Sequence, residues 1–188
     1  LGNQMDAYVN WECDEIDYPK ETVWGNDLAT QATFDGVKNA GFKSVRIPIT
    51  WLRMIGPAPE YKIDEAWLNR VAELVGYAEK AGLNCIINTH HDENHGNNHW
   101  LDVANAAKSA TKHAEITNEV KVFWTQVAEK FKDKGDWLIF ESFNEINDGG
   151  WGWSSAFRAD PAKQSNVLND WNQAFVDAVR ATGGNNAT

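Results

Sequence analysis

Short β-type runs alternate with amphipathic helical stripes along the chain, and each β-type run ends in polar side chains. No other feature restricts the fold as much. Strand–helix–strand units place their strands in parallel through right-handed crossovers, so the chain predicts an α/β fold with a parallel sheet, open and doubly wound or closed as a barrel. The predicted strands are 44–51, 84–90 and 137–145. Helical periodicity marks 30–40, closed by Gly41, and a second helix capped by Asp64 and closed by Gly82. A third stripe runs through Ile116, Val120, Phe123, Trp124, Val127, Ala128 and Phe131. The last starts near Asp160-Pro161 or at Ser165, turns Val167, Leu168, Trp171, Phe175 and Val179 inward, and stops at Gly183-Gly184. The stretch 92–114 reads as one long loop, a length that often carries function.

Period two within the strands separates two faces. Arg46 and Thr50, Asn88 and His90, and Glu141 and Glu145 share one side, while Ile47, Ile49 and Ile87 look the other way. A barrel interior lets such polar groups converge, whereas an open sheet with helices on both faces would bury them apart. No glycine-rich phosphate loop follows any strand, which removes the usual support for a dinucleotide-binding open sheet.

Composition excludes two classes of partner. With 27 acidic against 17 basic residues in 188, the formal charge of −10 does not suit nucleic acid, which requires a basic stripe. No apolar run approaches the ~20 residues that span a bilayer, so no membrane is expected. Cys13 and Cys85 form no metal motif, and Cys85 reads as a small hydrophobe buried in a strand. The first residue is Leu1 rather than Met, which points to processing or truncation, and no signal peptide is visible.

The candidate chemistry lies at the C-terminal strand ends, where barrel enzymes assemble their sites. Glu145 is the candidate general acid, a role that needs surroundings able to keep its proton near neutral pH. Asn144 offers an amide beside it. Arg46, inside a barrel, needs a carboxylate, and Glu141 is the expected partner. Asp148, Asp92 and Glu93 are further carboxylates with only proximity in their favour. His90, His91, His95 and His99, with Asp92 and Glu93, have a composition that could bind zinc, although the run does not follow the helical H-E-x-x-H pattern. No metal is expected. Of the ten tryptophans, Trp67, Trp124 and Trp171 fall on helical apolar stripes. Trp24, Trp51, Trp100, Trp151 and Trp153 fall in loops after strands, where an indole face suits either packing or a flat apolar ligand. Asn186-Ala187-Thr188 fits a glycosylation sequon.

Five segments together carry a resemblance. They are Leu1-Gly2-Asn3 with Asp6-Ala7, then Glu21-Thr22-Val23-Trp24-Gly25-Asn26, then Gly41-Phe42-Lys43-Ser44-Val45-Arg46-Ile47-Pro48-Ile49-Thr50-Trp51. Asn88-Thr89-His90-His91-Asp92 and Phe140-Glu141-Ser142-Phe143-Asn144-Glu145 complete them. In this order they resemble glycoside hydrolase family 5, the retaining cellulase family, and especially its endoglucanase and xyloglucanase branch. The resemblance spans essentially the whole chain.

It implies a (β/α)8 TIM barrel that hydrolyses β-linked glucan with two carboxylates and no cofactor. By resemblance Glu145 is the proton donor, Asn144 contacts the sugar 2-hydroxyl, and Arg46 positions the catalytic carboxylates. His90, with His91 alongside, lines the subsite next to the cleaved bond, and Asn3 comes from the first strand. The family's nucleophile lies on the seventh strand and is absent from this chain. A full barrel takes ~250 residues, so the resemblance implies the N-terminal half, roughly four β/α units, with little or no activity alone. A companion C-terminal half or self-association is then expected, and the parent enzyme is expected to be secreted. Two other functions fit the residues: a non-catalytic β-glucan-binding module, and a metal-binding protein built on the histidine loop.

Overall fold

A computed structural model describes residues 21–22, 25–93 and 99–187. The described elements run α1 (Gln31–Asn39), β1 (Ser44–Ile47), α2 (Glu65–Ala81), β2 (Asn84–Asn88), α3 (Val103–Ala106), α4 (Ala110–Phe131), β3 (Leu138–Glu141), α5 (Ser155–Ala159), α6 (Pro161–Ala181) and a closing 3₁₀ turn (Gly184–Ala187). The expected first-strand segment, with Asn3 and Cys13, lies outside the described residues. Among the described residues no helix is long and apolar enough to cross a membrane.

The helix boundaries follow local chemistry. Asp64 accepts the Trp67 N–H at 2.8 Å at the start of α2, and Gly82 ends the helix with φ +67°, a left-handed conformation that favours glycine. Pro161 occupies the first turn of α6, where its missing N–H costs nothing. Within 92–114 the structure departs from the expected single loop. Asp102 caps α3 by accepting the Asn105 N–H, and Ser109 caps α4 by accepting the Lys112 N–H. These caps release about two and a half turns of helix from a stretch with weak apolar periodicity.

β1, β2 and β3 form a parallel sheet in that order, as the alternation predicts. In register, Val45 lies beside Cys85 and Leu138, then Arg46 beside Ile86 and Ile139, then Ile47 beside Ile87 and Phe140. Two faces result. Val45, Cys85, Ile47 and Ile87 are buried against the helices. On the opposite face Arg46 and Ile86 are half-buried and Ile139 is 46% exposed. Burial of both faces is the rule for parallel sheets, and the described residues cover only the first.

The core lies between the sheet and the helix layer. α2 contributes Val71, Leu74, Val75 and Ala78, and α4 contributes the whole predicted stripe from Ile116 to Phe131. α6 packs on α4 through Val167, Trp171, Ala174 and Val179. Cys85 is fully buried with a free thiol, and burial pushes its pKa up to about 12, so it behaves as an inert core group.

Candidate active site

All three strands stop earlier than predicted, because their last residues leave regular pairing. The extensions are nevertheless sewn together. His90 N–H donates to the Ile49 carbonyl at 2.8 Å, and Asn144 N–H donates to the Thr89 carbonyl at 2.9 Å. The Thr50 hydroxyl accepts the His91 N–H at 3.1 Å, and the Thr89 hydroxyl donates to the Ser142 carbonyl at 2.8 Å. These contacts carry the inner face of the sheet past its last ladder bond, and Arg46, His90 and Asn144 meet there.

Arg46 is the hub. Its guanidinium reaches across β2 to β3, with Nε 2.7 Å from Glu141 Oε2 and Nη2 3.0 Å from Oε1. The expected Arg46–Glu141 pair is therefore present in the two-pronged geometry that arginine favours. Nη2 also donates to Asn144 Oδ1 at 3.0 Å. That bond orients the amide and turns Nδ2, its donor side, away from the guanidinium. The pair is about one-third exposed, so it serves geometry more than stability.

His90 is held from its own strand. Asn88 is buried, and its Oδ1 accepts the Ile49 N–H at 3.1 Å, so its Nδ2 faces His90 Nδ1 at 3.2 Å. Nδ1 is consequently the acceptor and Nε2 carries the proton. Burial, with His91 and Arg46 adding to it, pushes the His90 pKa down to about 3. The ring stays neutral at mildly acid pH, where it can orient a hydroxyl but carries no proton to a leaving group.

Glu145 follows in a tight turn closed by Ile146 N–H on the Asn144 carbonyl, and it is exposed. Its carbonyl accepts Asn147 Nδ2 at 3.0 Å. Asn3 and His95 lie outside the described residues.

One of the remaining carboxylates has other work. Asp92 is fully buried. Its Oδ1 accepts the Trp51 N–H and the Trp100 indole N–H, both at 2.9 Å. Its role is to fasten the returning loop, and nothing in the sequence apart from its place after the histidines signals this. Burial pushes its pKa up to about 8, against the pull of the Trp100 and Trp51 donors. The folded chain thus keeps a proton that an ordinary carboxyl loses near pH 4. Stability from this group is greatest at the acid end and falls as pH rises from about 4 to 8, by at most ~1.4 kcal/mol per unit. In Asp92→Asn that decline disappears, so thermal unfolding at several pH values should show the variant gaining on wild type toward pH 8. A constant offset at every pH would contradict the assignment.

The tryptophans separate as sequence could not arrange. Trp51, expected on the open side, is buried, with its indole N–H donating to the Asn88 carbonyl at 2.9 Å. Trp100 is tied to Asp92, whereas Trp151 and Trp153 are 52% and 78% exposed. Trp24 lies outside the described residues. Asn186 Nδ2, the atom a glycan would use, is engaged by the Ala128 carbonyl at 3.0 Å and Thr182 Oγ1 at 2.9 Å. Among the described residues no group of three His, Cys, Asp or Glu side chains converges as a metal site.

Parallel β/α units with their polar groups gathered at the C-terminal strand ends define a barrel-type enzyme scaffold. The family model described as Cellulase (glycosyl hydrolase family 5) matches residues 8–188, and the chain belongs to that family. It is 41% identical over 187 residues to endoglucanase B of Clostridium cellulovorans, covering 100% of this chain and 38% of that protein. It is 38% identical to a xyloglucan-specific endo-beta-1,4-glucanase of Bacteroides ovatus, covering 99% of this chain and 34% of that one. A solved broad-specificity endoglucanase from Bacteroides salanitronis superposes with a TM-score of 0.92 at 56% identity, covering all of this chain and 48% of its own. A metagenomic xyloglucan-specific endo-beta-1,4-glucanase, solved with cellotriose, gives 0.81 at 39% identity over 51% of its chain. The chain thus spans about half the length of these solved relatives. Its α/β fold is of the (β/α)8 barrel type.

Proposed function

We propose that this chain is the acid-bearing part of a retaining endo-β-1,4-glucanase, completed by further β/α units. The observation that carries the proposal is the Arg46–Glu141–Asn144 network beside a neutral His90, all on the inner face at the strand ends. Glu145 protonates the glycosidic oxygen as a carboxylate nucleophile attacks the anomeric carbon. Water then hydrolyses the glycosyl-enzyme, with Glu145 taking its proton. Asn144 contacts the 2-hydroxyl, and Arg46 holds Asn144 and Glu141 in register. His90 and His91 line the adjoining subsite.

Retention needs the two carboxyl groups ~5–5.5 Å apart. Glu141 is taken by Arg46, Asp92 by Trp51 and Trp100, and Asp148 by Ser154 and Gln164, so none of these serves as nucleophile. The nucleophile comes from the completing β/α units. A groove of about 400 Å³ beside β3, lined by apolar Leu138, Phe140, Phe175 and Val179 and by polar Lys134, Asp136, Arg180 and Asn185, offers those units a surface. Exposed Ile139 on the inner face points the same way. A glucan polymer is too large to cross a membrane, which supports action outside the cell.

The test is hydrolysis of carboxymethylcellulose by the chain alone and by the chain co-expressed with the C-terminal units of the Bacteroides salanitronis relative. The expected result is turnover only in the second case. Robust turnover by the chain alone that vanishes in Glu145→Gln overturns the half-enzyme proposal. Trp151 and Trp153 favour a second function, glucan binding without cleavage, which predicts cello-oligosaccharide binding and no turnover in either preparation.

A further inference from the structure

By sequence Asp148 is only a carboxylate close to Glu145; in the fold it organises the loop that follows. Its Oδ2 accepts the Ser154 hydroxyl, and also Gln164 Nε2 at 2.8 Å. Its Oδ1 accepts the Gly150 N–H at 3.0 Å. Gln164 reaches in from α6 and is only 7% exposed, so the loop is anchored to the helix layer. Ser154 passes the restraint on by capping α5, where its Oγ accepts the Phe157 N–H at 3.0 Å.

The loop has little freedom to take another shape. Gly149 and Gly152 hold φ +81° and +79°. A Cβ on Gly150 would lie 2.6 Å from the Ser154 Cβ, so only glycine fits there. Trp151 itself sits at φ +50°, a conformation bulky residues avoid unless their surroundings impose it. The loop is also coupled to Glu145, since Asn147 Nδ2 donates to the Glu145 carbonyl and Asn147 Oδ1 accepts the Gly149 N–H at 2.8 Å. Two indoles are thus held out in water by a braced backbone. Their exposure is costly without a ligand, and their flat apolar faces match the C–H face of a sugar ring.

We infer that Asp148 is a positioning residue for glucan: through Gln164 and Ser154 it holds loop 147–154 in the shape that presents Trp151 and Trp153 to pyranose rings next to Glu145. The inference rests on the glucanase assignment above and deepens it.

Cellohexaose is titrated into the purified chain, with binding followed by calorimetry, for wild type, Trp151→Ala/Trp153→Ala, Asp148→Ala and the triple variant. Trp151→Ala/Trp153→Ala and Asp148→Ala should each weaken binding about tenfold, which is ~1.4 kcal/mol. The triple variant should be no weaker than Trp151→Ala/Trp153→Ala, because Asp148→Ala acts only through those two indoles. A role limited to holding the fold together gives additive losses and overturns the inference. Asp148→Asn with Gln164→Glu exchanges donor and acceptor and should restore binding to within about twofold. Gln164→Glu alone, which sets two carboxylates face to face, should not. If Asp148→Ala fails to fold, this last pair reads the same contact, and equal binding by the two overturns the inference. Wild-type binding that Asp148→Ala leaves unchanged overturns it, and so does a wild-type chain that leaves cellohexaose unbound. The glucanase assignment stands or falls separately, on turnover by the completed barrel.

Discussion

Glu145→Gln lowers β-1,4-glucan turnover by the completed barrel about 10²–10⁴-fold, the range that a positioned general acid supplies. The loss should depend on the leaving group. A sugar alkoxide departs only with a proton, so cellulose-type substrates feel the full effect. A dinitrophenyl cellobioside expels a phenolate that needs none, so its first step should run near the wild-type rate and release a burst as the intermediate accumulates. A first step slowed equally on both substrates would remove Glu145 from the acid role. Folding should be unaffected, because the side chain is exposed and the turn around it is held by backbone and Asn147 contacts. Unchanged urea unfolding would confirm that the loss is catalytic.

The second large effect falls on stability. Trp124→Ala should cost about 3–5 kcal/mol, the usual penalty for emptying a large aromatic site. Trp124 is buried where α4, α6 and β3 meet, with ring centroids 5.3 Å from Phe123, 4.7 Å from Phe175 and 6.0 Å from Phe140. A domain of ordinary stability has only about 5–15 kcal/mol in hand, so the variant should unfold near room temperature in mild urea. Trp124→Phe keeps most of the apolar volume and should retain a cooperative transition. A loss below about 1 kcal/mol in the alanine variant would mean that this core is not formed.

Much of the scaffold was legible because its signals are local. Asp64 and Gly82 bound α2 through contacts made within one turn of each end. The stripe from Ile116 to Phe131 faces inward because the helical period allows nothing else. Arg46 and Glu141 could be paired in advance, since strand period put both on one inner face, where a charge needs its opposite. The caps at Asp102 and Ser109 were also present in the sequence, but the weak apolar pattern between them concealed α3 and the start of α4.

Other features depend on segments that come back from a distance. Trp51 and Trp153 have the same side chain and similar places after strands, yet one is buried against Phe123, with ring centroids 5.0 Å apart, and the other stands in water. Asp92 and Asp148 are both carboxylates near the strand ends. One is enclosed when Trp100 folds back over it, and the other is drawn to α6 by Gln164. The sequence by itself determined the α/β alternation, the inward stripes and the polar residues at the strand ends, because period and capping act over a few residues. The tertiary structure alone decided which carboxylates are already engaged and which indoles remain for a ligand, because burial and hydrogen-bond satisfaction depend on what the rest of the chain brings alongside.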